Sequence, residues 1–102
     1  MIEATAWAMQ GRTKLGEKCV FRIQLSFKDR RSIKRLDRLM KKDEWLDVGS
    51  SYHPARKMET LIYQKDFNDR DGFVNWATKQ KDLKITELNR KGAKKAVYGP
   101  EK

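Results

Sequence analysis

Cysteine and histidine each occur once, as Cys19 and His53. A lone cysteine forms no internal disulfide, and with one histidine the chain cannot supply the three or four nitrogen and sulfur ligands of a zinc site. We therefore expect a reducing, cytoplasmic setting, no metal and no cofactor. The longest unbroken apolar run is Ala6-Trp7-Ala8-Met9, against about 20 residues for a membrane-spanning helix. No membrane partner is expected, and Met1 to Gln10 has neither the basic leader nor the apolar stretch of a secretory signal. The chain also lacks a GxGxxG turn, a P-loop and a GxSxG elbow, which leaves nucleotide hydrolysis and acyl transfer without support. It has no RNP-type run, GxxG loop or zinc-finger spacing either, so no named nucleic-acid module is indicated.

What is abundant is charge. Of 102 residues, 24 are Lys or Arg and 14 are Asp or Glu, giving a net charge of +10. A mean hydropathy of −0.89 lies near the range of disordered chains, but three Trp, four Phe and three Tyr supply the aromatics that such chains lack. The excess charge is localised. Between Lys28 and Lys42 eight cations face two acids, between Arg90 and Lys102 five face one, and the remaining 74 positions balance. Two basic concentrations are the footprint of a binding surface rather than of a general solubilising charge.

The pattern predicts a small α+β domain in the order ββαβαβ. Residues 2–9 and 19–27 read as strands joined by a turn over Gly11 to Lys18. In the second, Cys19, Phe21, Ile23, Leu25 and Phe27 alternate with Val20, Arg22, Gln24 and Ser26, which puts an apolar row on one face. In the first, the small residues Ala4, Ala6 and Ala8 are assigned inward, where a helix can lie close, leaving Trp7 outward near Arg22 or Gln24. Ser32 is the expected N-cap of a helix to Lys42, extendable to Leu46, with Ile33, Leu36, Leu39 and Met40 on one face. Gly49-Ser50-Ser51 and Pro54 predict a loop over 48–57, and residues 58–65 a third strand. Asn68 or Asp69 caps a helix over about 70–81 bearing Phe73, Trp76 and Ala77, and residues 82–88 form a fourth strand. We expect one domain over 1–89, an antiparallel sheet with both helices on one face, and a flexible basic tail over 90–102.

Arg31, Arg35, Arg38 and Lys42 recur at i, i+4, i+7 and i+11, a ridge opposite the apolar side of their helix and suited to phosphates, with Lys34 and Lys41 at its flank. A solvated helix face interleaves both signs, whereas here Asp37 alone interrupts. Arg90, Lys91, Lys94 and Lys95 of the tail add affinity, and Trp7 is the favoured base-stacking residue among Trp7, Trp45 and Tyr52. The expected function is nucleic-acid binding, to DNA or RNA, with weak sequence preference and no catalysis. The alternative is a protein-interaction module, an inhibitor or adaptor subunit docking the same helix on an acidic protein surface; a homodimer through a sheet edge is compatible with either.

A third reading is a Mg²⁺-dependent nuclease, from the (Asp/Glu)-x-Lys element Asp82-Leu83-Lys84. A match this short arises by chance in so charged a chain, and its candidate partners Asp66, Asp69 and Asp71 are explained as helix-start residues. The segment Asn68-Asp69-Arg70-Asp71-Gly72 fails as a calcium loop, because Phe67 and Thr78 stand where carboxylates are required. Cys19 opens an apolar row and reads as an inert thiol rather than as a nucleophile paired with His53.

Overall fold

The protein is described by a computed structural model covering residues 2–9 and 19–99; the expected turn over Gly11 to Lys18 lies outside the described residues. β1 (Ile2–Ala8) and β2 (Cys19–Phe27) pair antiparallel at the centre of a six-stranded sheet, with Ala4 opposite Leu25 and Trp7 opposite Arg22. The alternation of β2 is expressed in burial: Phe21, Ile23, Leu25 and Phe27 are all buried, as are Ala4 and Ala6 of β1.

α1 (Ser32–Lys42) buries Leu36 and Met40 on this face, each worth about 1.5–3 kcal/mol. Ser32 is not its N-cap. The cap position falls on Arg31, which has helical backbone and makes no side-chain cap bond; the Asp29 carboxylate accepts the Arg31 backbone N–H at 3.0 Å instead. The helix ends at Lys42, short of Leu46. Glu44 adopts φ 69°, and the Trp45 N–H donates back to the Met40 carbonyl at 3.0 Å, a Schellman-type stop. That reversal drops the Trp45 indole into the core.

β3 (Leu46–His53) replaces the expected loop. It pairs antiparallel with β4 (Met58–Phe67), with an irregularity between Asp47 and Gly49. None of its residues is buried, so it carries no amphipathic signal; the ladder to β4 makes it a strand. α2 (Arg70–Thr78) begins where Asp69 accepts the Gly72 N–H at 2.9 Å and buries Phe73 and Ala77.

β5 (Leu83–Leu88) runs parallel to β1, Ile2 opposite Leu83, so the sheet is mixed rather than antiparallel. β6 (Lys94–Tyr98) pairs antiparallel with β5, so 94–98 is sheet where a flexible tail over 90–102 is expected; residues 100–102 lie outside the described residues. The turn before it is closed by Asn89, whose Oδ1 accepts the N–H groups of Lys91 and Ala93 at 2.9 and 3.0 Å. Gly92, at φ 81°, supplies the left-handed residue the turn needs. Tyr98 then locks the strand: its hydroxyl donates to the buried Glu87 at 2.7 Å, and Arg70 of α2 donates to the same carboxylate oxygen at 2.7 Å.

Strand order is β3-β4-β2-β1-β5-β6. The crossovers β2–α1–β3 and β4–α2–β5 start from strands of opposite polarity and move in opposite lateral directions. Right-handed connections therefore place both helices over one face. Leu36, Met40, Phe73 and Ala77 accordingly join one core cluster with the inward rows of the sheet.

Candidate functional site

α1 turns about 100° per residue, so fixing its apolar side fixes the rest. With Leu36 and Met40 buried, Arg31, Arg38 and Lys42 point away from the core. Arg35 leans towards the end of α2, where its guanidinium lies 3.6 Å from Asp82. Lys34, Asp37 and Lys41 lie on the flank nearest β3. Asp37, the acid that interrupts the ridge in sequence, is turned aside: its carboxylate accepts from the Tyr63 hydroxyl at 2.8 Å and pairs with Lys41 at 2.9 Å. The Lys41 hydrogen bond, seconded by Tyr63, holds the Asp37 carboxyl below its usual range and raises Lys41 in turn; burial, then Asp37, pushes the Tyr63 phenol well up. Lys34, Arg38 and Lys42 have no ion pair among the described residues, and with Asp37 and Lys41 they line a shallow open concavity of about 560 Å³.

Strand register adds cations from other segments. Phe27 stands opposite Glu59, His53 opposite Met58 and Ile2 opposite Leu83. The β2–α1 turn, the β3–β4 hairpin turn and the start of β5 therefore share one end of the sheet. Lys28, Arg30, Arg31, Lys34 and Arg35 meet Arg56 and Lys57 there, joined by Lys79, Lys81 and Lys84 from the chain leaving α2. Four acids, Glu3, Asp29, Glu59 and Asp82, oppose these ten. Asp29 is held by Arg31, whose backbone N–H and then guanidinium lower its pKa. Glu59, buried, lies 2.9 Å from Arg30 Nε as an ion pair without hydrogen-bond alignment.

At this end the Arg30 guanidinium carbon also sits 5.4 Å above the ring of Tyr52, which is 43% exposed.

The residues of the predicted site are thus divided. Arg31, Lys34, Arg35, Arg38, Lys41 and Lys42 share α1. Lys94 and Lys95 lie in β6, the sheet edge furthest from β3, and Lys95 is 3.9 Å from Glu87. Arg90 and Lys91 occupy the turn at the end of the sheet away from Arg56. Trp7 lies on the outer face, in a cross-strand row with Arg22, Gln64 and Leu88, where Arg22 Nε donates to Gln64 Oε1 at 2.8 Å. The sheet stands between Trp7 and α1. Arg56 and Lys57 were missed as companions of α1 because the strand that delivers them reads as a loop.

Asp82 and Lys84 flank the buried Leu83, with Asp82 engaged by Arg35. Asp66, Asp69 and Asp71 stand at the opposite end of the sheet, and among the described residues no three His, Cys, Asp or Glu side chains are grouped as metal ligands. No helix here is long and apolar enough to cross a membrane. No protein-family model, curated protein or solved structure matches this chain.

Proposed function

We propose that this protein is a small nucleic-acid-binding protein that grips the phosphate backbone with the exposed side of α1 and the basic end of the sheet, without catalysis. The observation that carries the reading is Lys34, Arg38 and Lys42: three cations at i, i+4 and i+8, about 6 Å apart along the helix axis, projecting from the core with no acid of their own. An ordinary solvated helix spends such residues on i,i+4 pairs, as Lys41 does here with Asp37. The cations converging from the hairpin turn and from β5 extend the same positive field. Phosphate contacts of this kind carry no sequence information, so weak sequence preference follows.

The test is a salt titration of binding to single- and double-stranded DNA and RNA. Four to six phosphate contacts give a log–log slope of roughly −3 to −5, and Lys34→Ala with Arg38→Ala makes it shallower by nearly two. Binding that ignores salt, or capture of a stoichiometric acidic protein with no affinity for oligonucleotides, overturns the reading in favour of a protein-docking module.

A further inference from the structure

Resting on that reading, we infer that the nucleic acid is taken as a single strand, with an unpaired base stacked on Tyr52. In a duplex the faces of the bases are covered by their neighbours and closed to stacking by a side chain outside the helix, whereas an exposed aromatic ring among cations is the common element of single-strand recognition. Tyr52 is the exposed aromatic at the basic end. Register with Glu59 places it on the helix-covered side of the sheet, but β3 is the edge strand, and among the described residues no strand continues the sheet beyond it.

Its ring is prepared. Arg30 sits over it and is itself paired with the buried Glu59 at 2.9 Å, so the ring and its neighbouring cation are already together before binding. Lys34 lies about one helical turn from Arg30 on the same flank, and Arg56 and Lys57 stand in the hairpin turn that follows Tyr52. A strand whose base stacks on Tyr52 therefore has cations for the phosphates on either side. The two acids nearest are already engaged, Asp29 by Arg31 and Glu59 by Arg30. Trp7 lacks these properties: it is half-buried on the opposite face, between Arg22 and Leu88.

The experiment measures anisotropy of labelled oligo-dT, oligo-U of equal length and a blunt duplex, each titrated with the full chain at one fixed low salt. Tyr52→Ala is expected to weaken both single strands about tenfold, in line with the loss of one base–aromatic stack, and to leave the duplex within about twofold. Tyr52→Trp keeps single-strand affinity, and Trp7→Ala changes none of the three. Loss on oligo-dT or oligo-U alone identifies which of the two strands the site accepts and still supports stacking. If Tyr52→Ala leaves the single strands unchanged, or weakens the duplex equally, the stacking inference is overturned; the phosphate reading survives provided Lys34→Ala with Arg38→Ala still flattens the salt slope. If no oligonucleotide binds, both fall.

Discussion

Where β2 runs into α1 and β3 turns into β4, ten cations face four acids over a core that is largely aliphatic, built of Ala4, Leu25, Leu36, Leu61 and Leu83. At the far end of the same strands, eight described cations, Lys41, Lys42, Lys65, Arg70, Arg90, Lys91, Lys94 and Lys95, stand with seven acids, Asp43, Glu44, Asp47, Asp66, Asp69, Asp71 and Glu87. The core there is aromatic: Phe21 and Phe73 stack at 4.0 Å, and Trp45 meets Trp76 at 4.9 Å and Phe67 at 5.6 Å. One end concentrates apolar burial, and the other concentrates a charge whose self-repulsion opposes compactness. Such a division lets a marginal small domain carry a repulsive surface, because the heaviest packing is placed away from it.

Trp45→Ala strikes the aromatic end hardest. It should cost about 3–5 kcal/mol, read as a lower urea midpoint, and leave the salt slope of the protein that remains folded unchanged. A midpoint close to wild type would show that the aromatic cluster is not the anchor. Equal charge changes at the two ends separate them next. Lys34→Glu with Arg38→Glu is expected to lower oligonucleotide affinity by about tenfold or more at low salt, since each phosphate contact contributes to the slope, whereas Arg90→Glu with Lys91→Glu moves it about twofold or less. Comparable losses from the two pairs would erase the distinction.

The smallest expected effect concerns Asp37. Its folded-state pKa is depressed by Lys41 and Tyr63, so the carboxylate stabilises the fold above its unfolded value, and that contribution fades as pH falls through the lowered one. Asp37→Asn should therefore lower stability by a constant offset at neutral pH, an offset that shrinks as pH falls below about 4, where the two curves converge. Parallel curves for the two proteins would remove the coupling.

The sequence was most legible where one segment contains its own explanation. The strict alternation of β2, Ala4 and Ala6 of β1, the Leu36–Met40 stripe and a cap at Asn68 or Asp69 each need no partner to be read, although Ala8, assigned inward with its row, is exposed. β3 and β6 were illegible because an edge strand with nothing buried has no period; both exist through ladders to β4 and β5. For β6 a local signal was present, since Asn89 and Gly92 bracket a tight turn ahead of Val97-Tyr98. The parallel pairing of β1 with β5, and with it the meeting of Arg35 with Asp82, is set by topology over long separations that no window of sequence contains; the meeting of Arg30 with Tyr52 is set likewise by the β2–β4 and β3–β4 ladders. The candidate site shared that fate: its helix was visible, and its company was not.

The pairing of Ile2 with Leu83 also bears on the order in which the molecule is made. Ladders β2–β4 and β3–β4 and the α1 layer close over short and intermediate loops, but β1 waits some eighty residues for its second neighbour, a contact of high order whose closure entropy is met late. Asp82, which steadies Arg35, and Lys81 and Lys84, which complete the basic end, arrive with that same strand. The proposed binding surface is therefore complete only once β5 has paired with β1, and a chain that has not yet folded through β5 does not present it whole.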